Sequence, residues 1–250
     1  MSKAPAQPNR SIQDGLECLW QLVAEARPVG SREMARMLEM EPTRTNRMLG
    51  TLAAMGLAAR TPERKYVPGP GIHVLAAMSL RGSHLLEAAM QPMQRLARHT
   101  GGRVALGVLW RRHVCYLFHG KPDEAPLAAV AGHNLYPAQR SSIGKVLLAA
   151  RPRESIEDRF AEQELDLDAL LRELEAVRRQ GYAINRASDR AESMAVSVGT
   201  PPVAGLAVMT EISARNEDDL ATALRDAAHA IEDRLQKERN PKEKTDADAG

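Results

Sequence analysis

The sequence is short of aromatic residues, cysteines and long apolar runs, and each shortage excludes a class of protein. Aromatic residues make up 3% of 250, so a core has to be built from Leu, Val, Ala and Met. Two cysteines, Cys18 and Cys115, are too few for a disulfide framework and favour a reducing cytoplasm. Apolar stretches such as 146–150 fall far below the ~18 residues of a membrane span, and the first residues lack the apolar segment of an export signal. Membrane, fibrous and disulfide-stapled classes are thereby excluded.

Positive charge is concentrated near the beginning of a nearly neutral chain. Residues 1–72 carry ten Lys and Arg against seven Asp and Glu, whereas the remainder carries 24 against 25. Within 42–65 the count is five basic residues against one acidic residue, Glu63. A local basic stripe of this kind favours a bounded site for an anionic partner, although charge alone would also fit a solvated helix face.

Composition and periodicity divide the chain into two domains with short flanking segments. Pro and Gly alternate over 68–71, which breaks the chain after the first group of helices. We expect a disordered leader (1–10), a DNA-binding domain (11–71), a linker (72–82), an effector-binding domain (83–239) and a disordered tail (240–250).

The first domain has the order of a winged helix-turn-helix: three short helices followed by a two-strand ribbon. The second helix begins near Ser31, which can cap it, and the third begins at Pro42, where a first-turn proline is tolerated. Arg can bind guanine and Asn can bind adenine in the major groove, while basic residues on the ribbon reach the DNA backbone. The predicted DNA-contacting residues are Ser31, Thr43, Arg44, Asn46, Arg47, Arg60, Arg64 and Lys65.

The second domain mixes strands and helices, which favours an α+β fold. A β-hairpin is predicted over 104–109 and 113–118, and a helix begins near Ser142. Further strands are predicted at 193–198 and 203–212, and a last helix at 217–237. No internal repeat is visible.

At this level of detail the chain resembles the IclR family of bacterial transcription regulators, over about residues 11–235. The resemblance depends on the order and spacing of five stretches: SREMARML (31–38), RMLGTLAAMGL (47–57), KYVPG (65–69), SIGKVLLA (142–149) and GYAIN (181–185). It implies a winged helix domain, a linker helix and a GAF-like effector domain around a curved antiparallel sheet. It also implies dimers or tetramers whose binding to operator DNA changes with a small metabolite, commonly an organic acid or aromatic catabolite.

Two positions depart from the family pattern within the helix-turn-helix. The turn between the second and third helices usually carries Gly but has Glu39 here, and a common Thr is replaced by Arg44. The operator sequence that this chain recognises therefore cannot be inferred from the operators of its relatives. Arg47 matches the recurrent Arg of the family's recognition helix and is the first choice for a DNA contact.

The resemblance also places the walls of an effector pocket. The matching positions are Ser142, Ile143, Asn185 and Ala195, and more loosely Val208 and Thr210. Tyr136, in a segment that aligns poorly with the family (132–137), completes the set of predicted pocket residues. Independently of the family, free backbone N–H groups at the start of a helix attract a carboxylate, and Ser142 adds a hydroxyl there. Two of these residues have simpler interpretations, since Ser142 could be an N-cap and Asn185 a turn residue.

Two other classes of function fit parts of the sequence. An enzyme with a DNA-binding appendage could use Ser142, Asn185 and Thr210, but no motif places a His or a carboxylate beside a nucleophile. A metal or redox sensor could use Cys115 with His113, His119 and His133, provided that the strand stays extended to position 119.

The sequence therefore predicts a cytoplasmic, homo-oligomeric, ligand-responsive transcription regulator. We expect no enzymatic activity, no cofactor and no metal site. The expected partners are double-stranded operator DNA, a small effector and further copies of the chain as a dimer or tetramer, with no membrane.

Overall fold

The computed structural model of the protein contains two compact units. The described residues are 7–121, 135–186, 192–212 and 216–239. The N-terminal unit ends at Gly82 and the C-terminal unit begins at Ser83. The predicted tail and positions 1–6 of the predicted leader lie outside the described residues, whereas Arg10 already belongs to the first helix.

The N-terminal unit is formed by three helices, a two-stranded antiparallel ribbon and a fourth helix. Its elements are α1 (Arg10–Glu25), α2 (Ser31–Met37), α3 (Pro42–Ala54), β1 (Ala58–Arg60), β2 (Tyr66–Pro68) and α4 (Pro70–Ser83). Its core is built mainly from aliphatic and sulfur-containing side chains: Cys18, Leu22, Val29, Met34, Leu49, Leu52, Ala58 and Tyr66. This order of elements confirms the predicted winged helix-turn-helix.

Side chains and backbone at the helix starts explain where α2 and α3 begin. Gly30 is the N-cap of α2, and its N–H donates to the carboxylate of Glu33 at 3.4 Å. The prediction that Ser31 caps this helix is wrong by one residue, because Ser31 is already its first helical position. In α3, Glu41 occupies the N-cap and accepts from the N–H groups of Thr43 and Arg44 at 2.8 and 2.7 Å. These bonds satisfy donors that a helix start would otherwise leave open.

The turn between α2 and α3 has a left-handed residue where the family usually has Gly. Glu39 has φ of +51°, in the region that disfavours a side chain. Met40 N–H donates to Ala35 O at 2.9 Å and closes the turn around it. The departure noted in the sequence therefore has a conformational cost at this position.

The C-terminal unit is a six-stranded antiparallel sheet with helices on both faces. Its elements are α5 (Leu85–Thr100), β3 (Arg103–Trp110), β4 (His113–Gly120), β5 (Tyr136–Pro137), a 3₁₀ turn (Ala138–Arg140), α6 (Ser142–Ala149), α7 (Arg153–Phe160), α8 (Leu167–Gln180), β6 (Ala183–Asn185), β7 (Ser193–Val198), β8 (Ala204–Met209) and α9 (Glu217–Arg239). The strand order is β5-β4-β3-β8-β7-β6. The predicted α+β fold with an antiparallel sheet is confirmed.

Two hydrophobic cores lie on opposite faces of this sheet. Strand residues such as Leu106 and Leu206 pack with α5 and α9, while Ala105 and Ala207 pack with α6, α7 and α8. The alternation follows from the period of two along a strand. Within the described ranges, no helix is both long and apolar enough to cross a membrane.

Candidate functional sites

The third helix presents a polar face to solvent and buries its other face. Thr43, Asn46 and Arg47 are exposed, while Leu49 and Leu52 are buried in the core of the N-terminal unit. The buried face fixes the helix, so the exposed side chains are held on a rigid element. An Arg, an Asn and a Thr on one exposed helix face can donate to base edges and phosphates.

Arg44, a fourth predicted DNA contact on this helix, is held by an acidic residue of α1. Its Nη2 lies 2.5 Å from Oδ2 of Asp14, and both side chains are partly buried. Sequence reasoning missed Asp14, because no local pattern relates a residue of α1 to one that lies 30 positions later. The pair leaves Arg47 as the exposed arginine of the recognition helix.

The ribbon presents the remaining basic side chains around a closed turn. Arg60, Arg64 and Lys65 are exposed, and the guanidinium of Arg60 lies 5.8 Å from the ring centre of Tyr66. The N–H of Thr61 donates to the carbonyl of Lys65 at 2.8 Å, which closes the turn. Three cations at a fixed ribbon tip form a surface that can contact a phosphate backbone.

The start of α6 in the C-terminal unit is surrounded by hydroxyl groups. Ser141 is the N-cap and accepts from Gly144 N–H at 3.3 Å, so the N-cap interpretation applies to Ser141 and not to Ser142. Tyr116 Oη lies 3.1 Å from Ser141 Oγ, and Ser142 Oγ lies 2.9 Å from Ser193 Oγ. The partner of the Ser142 hydroxyl is thus another hydroxyl, which provides no general base for a nucleophile.

Glycines let α6 pack closely against the 3₁₀ turn and the sheet. A Cβ on Gly144 would lie 2.1 Å from the carbonyl oxygen of Ala138, and a Cβ on Gly205 would lie 2.7 Å from Ile143 Cγ2. The side chain of Ile143 therefore fills a depression in the sheet and is 1% exposed. The N–H groups of Ser142 and Ile143 belong to the first turn of α6, where a helix provides no intrahelical acceptor, so they are the backbone donors available to a ligand.

Three other predicted pocket residues lie around the same face of the sheet. Ala195 is buried with the core under α6 and pairs across the sheet with Ala183 and Ala207. Asn185 is half-buried, and its Nδ2 donates to the carbonyl of Arg140 at 3.0 Å, just before α6. Tyr136 is half-buried on the edge strand β5. Asn185 is the last residue of β6 and thus connects the end of that strand to the approach to α6.

Val208 and Thr210 do not share this face. Val208 is fully buried in the core formed with α5 and α9, on the opposite side of the sheet from Ala195. A Cβ on Gly102 would lie 2.9 Å from Val208 and 3.3 Å from Thr210, which places Thr210 beside Val208. These two residues are therefore not brought together with Ser142 and Ile143.

Sequence reasoning missed Tyr116 and Ser193, which complete the hydroxyl group cluster at α6. Both lie on strands, and only the cross-strand register brings them beside the helix start. It also missed that Lys145 is 8% exposed and pairs with Glu173 at 2.6 Å. The available signal in the sequence was a polar residue within an otherwise apolar segment, as with Lys145 in 142–149 and Ser193 in 193–198.

The metal-sensor alternative required Cys115 and His119 on one strand face. A β-bulge opposite Leu106 and Gly107 shifts the register of β4, and the ring of His119 instead lies 5.4 Å from the ring of Tyr116. The described ranges contain no group of three His, Cys, Asp or Glu that could hold a metal, and His133 lies outside them. Burial raises the pKa of the Cys115 thiol, which disfavours the reactive thiolate.

A winged helix unit with an exposed basic helix, followed by a separate α+β unit, is the organisation of a DNA-binding transcription regulator. The family profile of the bacterial transcriptional regulator IclR C-terminal domain matches residues 77–233. The chain therefore belongs to the IclR family of transcriptional regulators, as its resemblance predicted.

Curated relatives are regulators of the same type. The HTH-type transcriptional regulator BhcR of Paracoccus denitrificans is 32% identical over 186 residues, which cover 70% of this chain and 66% of that protein. The HTH-type transcriptional regulator KdgR of Dickeya chrysanthemi is 25% identical over 235 residues, which cover 86% of this chain and 76% of that protein. The alignment with BhcR thus spans just under two thirds of that relative's length.

Solved structures share the fold at lower identity. An IclR family regulator from Brucella abortus is 22% identical, with a TM-score of 0.73 and coverage of 92% of this chain and 94% of that one. An IclR homolog from Microbacterium hydrocarbonoxydans, solved as a complex with 4-hydroxybenzoate, is 24% identical, with a TM-score of 0.65 and coverage of 90% and 99%. Both likenesses concern the fold.

Proposed function

We propose that the protein regulates transcription by sequence-specific binding of α3 to operator DNA, controlled by a small organic acid. The observation that carries the proposal is the exposed face of α3, where Arg47, Asn46 and Thr43 stand opposite a buried core face. In a major groove, Arg47 can donate both guanidinium arms to a guanine, and Asn46 can pair with an adenine. Lys65 and its neighbours on the ribbon contact phosphates and fix the register.

The protein acts as a dimer through the exposed apolar residues of the N-terminal unit. No residue of α4 is buried, although Val74, Leu75 and Met78 are 56%, 57% and 67% exposed. On α1, Ile12 and Leu16 are 60% and 58% exposed. Apolar surface of this extent on two helices is covered by a second copy of the chain, which sets two recognition helices about 34 Å apart in successive major grooves.

The effector is a small carboxylate that binds at the start of α6. The first-turn N–H groups of Ser142 and Ile143 and the hydroxyls of Ser142, Ser193 and Tyr116 are donors for an oxyanion. The apolar surroundings, including Ala195, suit the hydrocarbon part of such an acid. The 4-hydroxybenzoate bound by the Microbacterium hydrocarbonoxydans homolog is an acid of this class and supports the assignment.

Control of DNA binding requires that the acid distinguishes two geometries of the dimer. A ligand with equal affinity for both would shift neither population. The helices that follow the ribbon, α4 and α5, connect the two units in sequence and are the segments through which this preference reaches α3.

The DNA-binding step is tested by fluorescence anisotropy on operator and scrambled DNA. Arg47→Ala should weaken operator binding by about 1–3 kcal/mol and binding to scrambled DNA much less. Lys65→Ala should weaken both and reduce the salt slope by about 1. Arg153→Ala, in the C-terminal unit, is the charge-matched control and should change neither. Unchanged binding by both Arg47→Ala and Lys65→Ala would contradict the assignment.

The effector step is tested by calorimetric titration with a panel of organic and aromatic acids that includes 4-hydroxybenzoate. Ser142→Ala removes a hydroxyl at the start of α6. It should lower the affinity for the bound acid by about ten-fold, since a hydrogen bond to a charged group is lost. Ser155→Ala on α7 removes a hydroxyl elsewhere and is the matched control. Equal affinity in both variants would contradict a site at α6.

A further inference from the structure

Three arginines with no carboxylate partner lie near the closed end of the β3–β4 hairpin, because Arg159 bonds to the hairpin turn beside Arg112 and the charges of Arg112 and Arg151 both act on Arg159. Arg112 lies in the hairpin turn, Arg151 just before α7 and Arg159 within α7. In the part of the chain that the structure describes, none of the three forms an ion pair with a carboxylate. Like charges that gather without a counter-charge destabilise a fold unless an anion joins them.

Arg159 is anchored so that one side of its guanidinium is left unused. Its Nη1 donates to the carbonyl of Arg111 at 2.5 Å, which ties α7 to the hairpin turn. Its Nε is buried and has no acceptor among the described residues. Burial and the positive charges of Arg151 and Arg112 lower the pKa of Arg159, so the charges that act on it are repulsive. A buried donor without an acceptor costs free energy that a bound oxyanion would recover.

Two further polar side chains at the same end of the hairpin have a buried atom without a hydrogen-bond partner among the described residues. His113, adjacent to Arg112, has a buried Nδ1 without a partner, and Gln139 has a buried amide oxygen without one. Register and backbone bonds place them together, because His113 pairs with Pro137 and Arg112 O accepts from Ala138 N–H at 2.8 Å. A 180° turn of the Gln139 amide presents its N–H₂ instead, so that both side chains can donate to an anion.

We propose that Arg112, Arg151 and Arg159 form a second anion-binding site, for a small oxyanion that carries two or more negative charges. Guanidinium groups from three places in the chain match the oxygens of a phosphate or of a dicarboxylate. The site uses none of the hydroxyl groups at α6, so it goes beyond the proposed effector site. Its occupation would fasten α7 to the hairpin turn.

The position of Trp110 allows this site to be observed directly. The chain has two tryptophans, and the guanidinium of Arg111 lies 4.6 Å from the ring centre of Trp110 at the hairpin turn. In full-length protein with Trp20→Phe, emission therefore comes from Trp110. We expect a saturable change in this emission on titration with sodium pyrophosphate or sodium succinate, beyond the change that sodium chloride causes at the same ionic strength.

Variants in the same Trp20→Phe background separate the site from other cationic surfaces. Arg112→Gln and Arg159→Gln should each lower the affinity for the anion by about ten-fold or more, while Arg153→Gln should leave the affinity unchanged. Arg112→Gln retains the bond from Arg159 to the hairpin turn. This variant therefore still tests the site if the Arg159 variant misfolds. A response to pyrophosphate alone identifies a phosphate ligand, and a response to succinate alone identifies a dicarboxylate.

Two results would overturn the second site. One is a response to both anions no larger than that to chloride. The other is an equal response in the Arg112→Gln and Arg153→Gln proteins, which would assign the binding to charge in general. Ser142→Ala should retain the Trp110 response, because Ser142 belongs only to the proposed effector site. A negative result for the second anion site therefore does not contradict the effector site, and the two proposals fail independently.

Discussion

Replacing Asp14 by Asn should strengthen binding to DNA of any sequence while slightly weakening the fold. Asp14 Oδ2 lies 2.5 Å from Arg44 Nη2, and the two side chains are 16% and 30% exposed. In this pair the charge of Arg44 is compensated within the N-terminal unit. The Asn side chain has nearly the same size but no charge, so the guanidinium becomes available to a phosphate.

The size of the effect follows from counterion release. One additional phosphate contact steepens the slope of log binding constant against log salt by about 0.9, so binding at 0.1 M salt is about eight-fold tighter relative to 1 M. The lost ion pair is partly exposed and costs about 0.5–1 kcal/mol of unfolding free energy. Because DNA affinity rises while stability falls, a change in contact can be separated from a change in folding.

Anisotropy over a salt series on operator and scrambled DNA measures the slope, and urea unfolding measures the stability. Asp158→Asn changes the net charge equally at an exposed position of α7 and should leave the slope unchanged. An Asp14→Asn protein that binds both DNAs more weakly would refute the reasoning, because the ion pair would then be needed to position Arg44 for its contact.

Three further predictions concern local features, two of them by substitution and one by chemical labelling. Glu39→Gly should raise the unfolding free energy by about 0.5–1 kcal/mol by relieving the positive φ, whereas Glu87→Gly within α5 should lower it by a similar amount; urea unfolding decides the sign. Gly144→Ala should cost about 1–3 kcal/mol, because its Cβ meets backbone, while Gly50→Ala in α3, with nothing within 4 Å, should be neutral or stabilising. Burial raises the pKa of Cys18 to about 11, so iodoacetamide at about pH 8 should modify it in urea but not in the native protein; rapid native labelling would contradict its burial.

The helix-turn-helix could be predicted because each of its elements has a local signal. Apolar residues at helical spacing, Pro42 at a first turn and a ribbon bounded by turn residues determine the order of elements without any long-range contact. The exposed face of α3 followed from the same periodicity. The Asp14–Arg44 pair did not, since it depends on how α1 crosses α3.

The effector site was less predictable because it depends on strand faces and cross-strand register. β8 is apolar along nearly its whole length, so its sequence does not show which of the neighbours Ala207 and Val208 faces α6 and which faces α5 and α9. The bulge in β4 that separates Cys115 from His119 has no clear sequence mark either. Residues at the start of α6 were found because helix starts have recognisable chemistry.

Specific DNA binding by α3 is tested most directly by anisotropy with labelled DNA from the region upstream of the protein's own gene. We expect a preference of about 10³-fold or more over scrambled DNA and a steep salt slope. Arg47→Ala should reduce that preference by about 5- to 150-fold, which corresponds to the loss of about 1–3 kcal/mol given above. Addition of the effector acid to the same sample should then change the operator affinity. Equal, weak binding to both DNAs across the salt series, with no effect of Arg47→Ala, would contradict specific DNA binding by α3.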